Sequence, residues 1–510
     1  MARSFGKVSE LPPAGEYLHR ASSRQYSMAK RNGAWYMRRS ETGGVNVLER
    51  SIDYFVGSGN HSRTFLHRSE RGRLTELPLS WYSEQGGYWA MSPGYDRPDH
   101  SDFRREVPDT CLFCHNGYPS AANGGLASGI DCQRCHGPGE EHIRRGAQIL
   151  NPAKLSADRQ MEVCMQCHIE SASRTIPDAI RRFGRTTFSY RPGEPLADYM
   201  LYFDFVRAPS DDRITVNNSA YGLRRSQCFL HSGGRLTCVT CHNPHDSKAG
   251  EAHYTAVCRN CHEKEHEAST KDCAGCHMQK RRTEDAVHVV MTDHLIRRRR
   301  LPGDQLAPMA ERHDRQVGPV KLLYPETLPD TAAGRLYMAL AQSPPDIPRL
   351  ERAIAAAQPA AAEPYFALAE AYRKTNRRED AIRFYRSGIE RAPGDARSYT
   401  ALAEVLLEQG KVDEAMRLLE PAIEKTGGDP SLLNVLSVVY AHQQRFDDAL
   451  RVLAEAARIN PDEPLTWLNR GVCLEAKGDR KGAEAAYRQA LLLQPDFVRA
   501  REYLRRLSNN

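Results

Sequence analysis

Residues 238–245 read Cys238-Val-Thr-Cys-His242-Asn-Pro-His245, and this stretch contains the pattern that governs the architecture of the chain. Two cysteines separated by two residues are followed at once by histidine. The same C-x-x-C-H pattern occurs six times between residues 111 and 277. Its cysteines are Cys111, Cys114, Cys132, Cys135, Cys164, Cys167, Cys238, Cys241, Cys258, Cys261, Cys273 and Cys276. Its histidines are His115, His136, His168, His242, His262 and His277.

The pattern is the attachment signature of c-type haem. Two thiols at this spacing reach the two vinyl groups of one porphyrin, and the adjacent histidine reaches the iron from one face. The alternatives are zinc knuckles, thioredoxin-like dithiols and disulfides. Zinc binding does not require histidine directly after the second cysteine. Histidine makes up only 19 of 510 residues, so its recurrence in all six motifs is not a chance event. We therefore predict six haem c groups, with the six motif histidines as proximal ligands.

The motifs are crowded, because residues 111–277 carry all six of them. This is too little chain to enclose each porphyrin in an apolar core of its own. We expect the haems to contact one another and to supply much of the buried apolar surface themselves. Such spacing suits electron transfer from haem to haem.

Each iron needs a second axial ligand unless it binds a substrate. Thirteen histidines lie outside the motifs, eleven of them between His19 and His294, so two histidines per iron are available. His245 follows His242 too closely to reach the other face of the same iron, so we expect it to serve a neighbouring haem, and the same argument applies to His142. The predicted distal candidates are His61, His67, His142, His245, His288 and His294.

Other side chains have simpler interpretations. For His19, His100, His253 and His266 we favour solvated or hydrogen-bonded histidines, and His313 and His442 lie outside the motif region. Met165, Met278 and Met291 are alternative thioether ligands, although methionine more often fills gaps in a core. Cys228, the one cysteine of the region outside the motifs, is either a buried free thiol or a thiolate ligand or redox-active cysteine beside a haem.

The C-terminal part has a repeat of 34 residues. Ala381, Ala415, Ala449 and Ala483 recur at that interval, with small residues twelve positions before each and proline or glycine twelve positions after. This is the tetratricopeptide (TPR) signature, in which small side chains allow paired helices to approach closely. We predict four repeats over 364–497, a degenerate repeat over 331–360 and a capping helix from Phe497 to Leu507. The domain either binds proteins on its concave face or serves as a scaffold or oligomerisation module.

The expected fold is mainly α, with a small β-rich N-terminal segment, a loop-rich multihaem region and a C-terminal α-α TPR solenoid. Strands are predicted at Trp35–Met37, Val45–Leu48, Ile52–Val56 and Leu77–Tyr82, forming one small antiparallel meander. The predicted divisions are 1–105 for the β-rich segment, 106–300 for the haem region, 301–330 for a linker and 331–510 for the repeats. Arg297–Arg300 mark the boundary, as a solvated run or as partners of haem propionates.

The chain resembles a family of bacterial multihaem c-type cytochromes, of the cytochrome c554-like or doubled C-x-x-C-H type, fused to C-terminal tetratricopeptide repeats. The similarity covers most of the chain. It lies in Gly57-Ser-Gly-Asn-His61, Leu77-Pro-Leu-Ser-Trp81-Tyr82, Met91-Ser-Pro-Gly-Tyr95, Cys111–Asn116, Gly129–Gly139, Leu236–His245 and Met291-Thr-Asp-His294. The resemblance implies an exported electron-transfer protein with His142, His245 and His294 as distal ligands. It also implies an export signal and a further motif upstream, so we expect this chain to begin at an internal methionine and a longer protein to carry a seventh haem.

Charge and hydropathy exclude some functions. No stretch approaches the ~18 consecutive apolar residues of a membrane helix, which excludes a spanning protein. The formal charge of +7 is best explained as counter-charge for haem propionates and not as a nucleic-acid surface. Our leading hypothesis is a periplasmic or otherwise extracytoplasmic electron carrier with unidentified redox partners and a protein partner in the TPR groove. The alternatives are an oxidoreductase that acts on a small nitrogen or sulfur compound at one open haem, and a repeat-based assembly factor whose haems only stabilise the fold.

Overall fold

A computed structural model of the chain describes residues 3–13, 15–41, 43–120, 125–169, 179–206, 213–246, 250–262, 272–313 and 318–509. Strands dominate the first hundred residues, short helices carry the cysteine motifs, and long paired helices form the C-terminal part.

The N-terminal part contains two antiparallel sheets. Its strands are β1 (Phe5–Lys7), β2 (Glu16–His19), β3 (Arg24–Arg31), β4 (Ala34–Glu41), β5 (Leu48–Ser51), β6 (Tyr54–Val56), β7 (Ser62–Arg68), β8 (Leu74–Tyr82) and β9 (Tyr88–Met91). One sheet has the order β1-β6-β7-β8-β9 and the other the order β2-β3-β4-β5. Tyr26 and Met37 of the second sheet share a core with Phe65 and Leu77 of the first.

A β-rich N-terminal part was expected, but the single meander was wrong. Two sheets form because each has an apolar face that is buried only by packing against the other. The strand predicted at Val45–Leu48 is also displaced, since β5 begins at Leu48. Val45 and Val47 are exposed in the connection that precedes it.

The middle of the chain consists of short helices and small sheets. The helices are α1 (Asp109–His115), α2 (Gln133–His136), α3 (Glu140–Arg145), α4 (Ala157–His168), α5 (Ser219–Arg225), α6 (Gln227–Leu230), α7 (Cys238–Cys241), α8 (Glu251–Arg259) and α9 (Cys273–His277). The strands β12 (Lys280–Arg282) and β13 (Val290–Thr292) form a hairpin after the last motif. A three-stranded sheet is built from β10 (Ala179–Arg181), β11 (Met200–Phe205) and β14 (Val320–Tyr324). Its third strand comes from the segment that we expected to be a linker.

The C-terminal part is a solenoid of antiparallel helix pairs. Its helices are α10 (Ala332–Leu340), α11 (Ile347–Ala357), α12 (Glu363–Lys374), α13 (Arg378–Arg391), α14 (Ala396–Glu408), α15 (Val412–Lys425), α16 (Pro430–His442), α17 (Phe446–Ile459), α18 (Pro464–Ala476), α19 (Arg480–Leu493) and α20 (Val498–Asn509). Asp395, Asp429 and Glu463, spaced by 34 residues, each accept a hydrogen bond from a backbone N–H of the helix that follows. These caps satisfy helix N–H groups that would otherwise lack partners, and so they start the first helix of each repeat at the same point.

Small residues lie where the paired helices meet, as the repeat predicted. Ala381, Ala415, Ala449 and Ala483 are completely buried. At the equivalent position in the preceding helix of the last pair, a Cβ on Gly471 would lie 2.3 Å from the Tyr487 ring. Close approach of the two helices therefore requires glycine here.

Both ends of the solenoid pack against the rest of the molecule. At its start, the Tyr337 ring stacks on Phe183 with centroids 4.6 Å apart, and the Phe183 N–H donates to the Tyr337 hydroxyl over 2.9 Å. At its end, Leu493 is part of the N-terminal core. The solenoid therefore connects the N-terminal sheets with the sheet that contains β11.

Buried charges lie at the second of these junctions. The Arg39 guanidinium is completely buried, pairs with Asp102 and donates to the Leu492 carbonyl of α19. Arg50 and Arg73 both pair with Asp462, in the loop between α17 and α18. The last repeat thus contributes to the interior of the β-rich part.

Candidate haem-binding region

Each C-x-x-C-H motif lies in or beside a short helix. α1 and α9 each contain a complete motif, and α4 ends with one. Cys132 caps α2, α7 spans Cys238–Cys241, and α8 contains Cys258 in its last turn. Residues three apart on a helix share a face, so each pair of thiols can reach the same side of one planar group.

The motif cysteines do not form disulfides. All fourteen cysteines of the chain lie in the described residues, and each has its thiol. Cys111, Cys132 and Cys261 are exposed, the other motif cysteines are half-buried, and Cys473 is buried in the last repeat. The thiols are therefore accessible for covalent attachment.

The motif helices form a continuous series. α4 contacts α1 and α7, α7 contacts α8, and α8 contacts α9. The Cys164 and Cys238 thiols hydrogen-bond each other, which raises the pKa of Cys164 and lowers that of Cys238. Burial, with the nearby Cys273 thiol, raises the pKa of Cys258 to about 11. Groups attached at the first and third motifs, and in turn at the third, fourth, fifth and sixth, would therefore be neighbours.

Two pairs of histidine rings face each other in this region. The rings of His136 and His245 have centroids 5.9 Å apart and planes inclined by 11°. The rings of His242 and His294 have centroids 6.1 Å apart, at 36°. Two imidazole nitrogens that bind one metal ion from opposite sides, each about 2 Å away, hold their ring centres about 6 Å apart. Each pair joins a motif histidine with a predicted distal candidate.

Backbone carbonyls orient four of the candidate ligands. The Nδ1 atoms of His136 and His142 donate to the carbonyls of Leu150 and Ala147, both over 2.8 Å. Two further Nδ1 contacts are His277 to the Arg297 carbonyl at 2.6 Å and His294 to the Thr292 carbonyl at 3.0 Å. A neutral imidazole that donates through Nδ1 has its lone pair on Nε2. This arrangement is typical of metal-binding histidines.

The histidines that we expected to be ordinary differ from these. His19 contacts Ser22 through Nδ1 and Asp96 through Nε2, so both ring nitrogens are engaged. The Nδ1 atom of His100 accepts from the Asp102 N–H over 3.1 Å, and its Nε2 lies 3.3 Å from Arg24. Both rings belong to the polar network of the N-terminal part.

Burial keeps several candidate ligands neutral. Together with the neighbouring His168, it lowers the pKa of His115 to about 4. Burial also lowers the pKa of His168, His242 and His294. Neutral imidazole is the form that binds a metal, so these rings would be ready to bind iron at neutral pH.

Among the described residues, several buried polar atoms near the first three motifs have no hydrogen-bond partner. They are His115 Nδ1, both amide atoms of Asn116, Nε and Nη1 of Arg134, and Oε1 of Gln166. Leaving such atoms unpaired is costly, and each calls for an explanation. Two large apolar side chains of the motif region are also exposed, Ile143 on α3 at 85% and Leu230 on α6 at 59%. A prosthetic group with an apolar ring and polar substituents would fit both features, so the residues present fit haem.

The remaining distal candidates have varied surroundings. His61 contacts the hairpin after the last motif, where it hydrogen-bonds the Val290 backbone. His67 lies on β7 with Nδ1 2.9 Å from Ser51 and 3.2 Å from Asp53. Nδ1 of His288 is 3.3 Å from the Tyr88 hydroxyl. Their roles as ligands stay predictions.

Several other predicted residues can be placed. Met165 is completely buried in an apolar core. Cys228 is half-buried on α6, near enough to Cys258 to raise the pKa of that thiol. The His231 ring contacts Gln227 over 3.1 Å. His266 lies outside the described residues.

Sequence reasoning missed two parts of this region. The carbonyls that orient the histidines cannot be predicted, because every residue type has one. Arg134 lies inside the second motif and is buried against the rings of Phe113 and Tyr118, 4.2 and 4.9 Å from their centroids. Arginine within a motif is unremarkable in sequence, and only burial shows its role in packing.

In the described parts of the chain, no helix has the length and apolar character needed to cross a bilayer. Within the same residues, no three histidine, cysteine, aspartate or glutamate side chains converge in an arrangement that could hold a metal ion.

Comparison with known proteins identifies the class of the C-terminal domain. Residues 330–493 match the family model described as tetratricopeptide repeat. The chain therefore contains a TPR domain, and TPR domains form protein-binding surfaces.

One curated relative of this chain belongs to a different class of protein. It is multiheme cytochrome MtrA from Shewanella baltica (strain OS185), which is 23% identical over 182 residues. The match covers 30% of this chain and 52% of that protein. The chain thus spans about half the length of the curated relative it matches.

Several solved structures are similar to part of the chain. YrrB, a TPR protein with an unusual peptide-binding site, has 20% identity and a TM-score of 0.27 over 31% of this chain and 80% of its own. TTC0263, a thermophilic TPR protein in Thermus thermophilus, has 22% identity and a TM-score of 0.29 over 32% of this chain and 89% of its own. The first TPR of Spaghetti (RPAP3) bound to an HSP90 peptide has 22% identity and a TM-score of 0.21, over 22% of this chain and 88% of its own.

Proposed function

We propose that this chain is a multihaem c-type cytochrome that acts outside the cytoplasm, transferring electrons along at least six covalently attached haems. The main support for this proposal is the pairing of His136 with His245. It places a motif histidine opposite a histidine of another motif region, with the ring centroids 5.9 Å apart. The second pair, His242 with His294, has nearly the same separation. Similarity to a multiheme cytochrome over 182 residues supports the same function.

In this proposal the chain holds the cofactor and controls its surroundings. Haem supplies a one-electron couple when it is bound. The motif thiols attach it, and the motif histidines bind its iron. The carbonyls of Leu150 and Arg297 hold the rings of His136 and His277 in the orientation that presents Nε2. Met161, Met165 and Tyr199 form part of a dry core beside the third motif, where a low local dielectric favours a stable reduced state.

The order of helix contacts supports a path for electrons. Contacts run from α1 to α4, α7, α8 and α9, each of which holds all or part of a motif. The second motif joins this series at α4, since the Cys135 thiol is close enough to Cys164 and Cys167 for them to raise its pKa. Electrons would therefore pass between neighbouring haems without leaving the protein.

The TPR domain gives the cytochrome a protein-binding surface, and we propose that it docks a redox partner or assembles a complex. Extracytoplasmic location follows in this proposal from the chemistry, because c-type haem is attached outside the cytoplasm. The fusion of both parts in one chain would hold the partner close to the haems.

Counting haems tests the proposal. The chain, fused to an export signal and produced in a host that matures c-type cytochromes, should carry six haems by intact mass and by the pyridine haemochrome spectrum. Replacing both cysteines of one motif (Cys238→Ala with Cys241→Ala) should leave five. Cys228→Ala removes a cysteine of the same region outside the motifs and should leave six. A chain that folds without haem, or binds zinc instead, would refute the function.

Spin state separates transfer from catalysis. If all irons have two histidine ligands, the oxidised protein should show only low-spin ferric signals in electron paramagnetic resonance. A high-spin signal in the unaltered protein would favour the alternative of an oxidoreductase with one open haem.

A further inference from the structure

A cluster of unneutralised positive charge lies next to the sixth motif. Arg298, Arg299 and Arg300 are consecutive and exposed, and Lys280 at the start of β12 is exposed as well. None of the three arginines forms an ion pair with a described carboxylate. We refer to Lys280 and Arg298–Arg300 as the basic surface.

Two hydrogen bonds fix the arginine run against the sixth motif. Immediately before the run, the Arg297 carbonyl accepts from Nδ1 of His277, the motif histidine, over 2.6 Å. Immediately after it, the Leu301 N–H donates to the Gln279 side chain over 2.6 Å. The run therefore spans two contacts with residues 277–279, and its position does not depend on the arginine side chains.

Unlike the arginines of the basic surface, the neighbouring arginines have carboxylate partners. Arg281 pairs with Asp293 at 2.8 Å, and Arg282 pairs with Glu84 at 2.9 Å. Arg297 also pairs with Asp293, at 3.2 Å. The buried and half-buried cations beside the sixth motif are thus neutralised, whereas the exposed arginines 298–300 have no ion pair with a described carboxylate.

The basic surface lies at the end of the series of motif helices, and this position indicates its function. α9, which holds the sixth motif, contacts α8 and ends the series of motif helices. The end of such a series is where electrons enter or leave the protein. A cluster of one sign of charge at that point raises the rate of encounter with a partner of opposite charge and orients it.

We infer that the basic surface docks an acidic redox partner protein beside the sixth motif. The inference rests on the proposed function. A specific docking surface is favoured over a nonspecific effect of net charge, because each bound haem makes the whole molecule less positive. With its two propionates, each haem lowers the net charge by about one unit when oxidised and about two when reduced. The basic surface would then be a local positive region on a nearly neutral or acidic protein.

The test is the rate of electron transfer from a small acidic redox protein, with reduced flavodoxin as the probe. In the haem-loaded protein, the triple variant Arg298→Gln, Arg299→Gln, Arg300→Gln should lower the second-order rate constant about tenfold at low ionic strength. The difference should vanish in high salt, because salt screens exposed charges. The redox titration of the haems should superimpose on that of the unaltered protein.

A matched variant controls for net charge. Lys481, Arg499 and Arg505 are exposed cations of the last helices, and their replacement by glutamine removes the same charge elsewhere. Its rate constant should stay within twofold of the original.

Three results would overturn the inference. Equal slowing in both triple variants would reduce it to an effect of net charge. A shifted haem titration with an unchanged rate would assign the arginines to propionates. Loss of binding to phosphatidylglycerol vesicles, again with an unchanged rate, would assign them to a membrane surface. A chain without haem would instead refute the proposed function, which the haem count detects separately.

Discussion

The imidazole rings of His136 and His245 lie nearly parallel, with centroids 5.9 Å apart, although 108 residues of sequence separate them. His245 follows the fourth motif by three residues, and His136 ends the second. The fold therefore brings a histidine from one motif region opposite the motif histidine of another, which local spacing alone cannot do.

Replacing His245 should leave one haem iron without its second axial ligand. In His245→Ala, one of six haems should change from low-spin to high-spin, because its iron loses one axial nitrogen. Electron paramagnetic resonance of the oxidised protein measures this change. His231→Ala is the control, since His231 is exposed and its ring hydrogen-bonds Gln227 of the adjacent helix α6. An unchanged low-spin spectrum in His245→Ala would show that another residue is the ligand.

Enlarging Gly471 should destabilise the last repeat. A methyl group would lie 2.3 Å from the Tyr487 ring, so Gly471→Ala should cost about 1–3 kcal/mol in the free energy of unfolding. Thermal unfolding followed by circular dichroism measures the loss. Gly394→Ala is the control, because its added carbon would lie 3.7 Å from the nearest atom, the Lys425 carbonyl oxygen. Equal unfolding temperatures for the two variants would contradict the close helix contact.

Asp462 should hold the last repeat against the N-terminal sheets. Asp462→Asn removes the charge that pairs with Arg50 and, at 3.6 Å, with Arg73. Because all three side chains are largely buried, we expect a loss of about 1–3 kcal/mol in the free energy of unfolding. Urea unfolding measures it. Asp447→Asn breaks a pair with Lys477 in which the carboxylate is 87% exposed, so it should cost less than about 1 kcal/mol.

We expect the free energy of unfolding to decrease in acid, partly because of His100. Burial, reinforced by Arg24 and His19, lowers the pKa of His100 to about 3, compared with 6.5 for a free histidine. Between these values the unfolded chain binds a proton that the folded chain does not, so stability is complete above about pH 6.5 and decreases as the pH falls. The contribution of this group should approach about 1 kcal/mol per pH unit near pH 5.

The matching variant is His100→Gln, which keeps a polar group but cannot be protonated. Its free energy of unfolding in urea should decrease less steeply from pH 6.5 to pH 4 than that of the unaltered protein. His442→Gln, an exposed histidine of the solenoid, should leave the slope unchanged. Identical slopes for His100→Gln and the unaltered protein would refute the assignment.

Local patterns account for the parts of the structure that sequence predicted well. The 34-residue spacing of Ala381, Ala415, Ala449 and Ala483 predicts the helix pairs because each repeat contacts only its neighbours. The family match over residues 330–493 confirms the repeats. The β-rich character of the N-terminal part followed from aromatic and β-branched runs, but the division into two sheets did not. That division depends on which faces bury each other, and pairing across a core leaves no local trace in sequence.

In the candidate site too, sequence predicts some features and leaves others to the fold. The twelve cysteines and six histidines of the motifs could be named from spacing, because attachment requires two thiols and a histidine within one helical turn. His245 was expected to serve a neighbouring haem and His294 was one of six distal candidates, but neither could be assigned to a particular motif from sequence. Their facing rings, at 5.9 Å from His136 and 6.1 Å from His242, depend on packing among α2, α7 and the segment after β13.

The sequence by itself determined the repeat architecture and the six C-x-x-C-H motifs on which the proposed haem chemistry rests, since both reside in short, regular spacings that need no long-range contact. Only the tertiary structure decided which histidine faces which motif. It also decided the order in which the motif helices meet and the burial of Arg39 against Asp102 and the last repeat. The physical reason is that these features arise from packing between distant segments, where burial and shape select the partner and residue type alone does not.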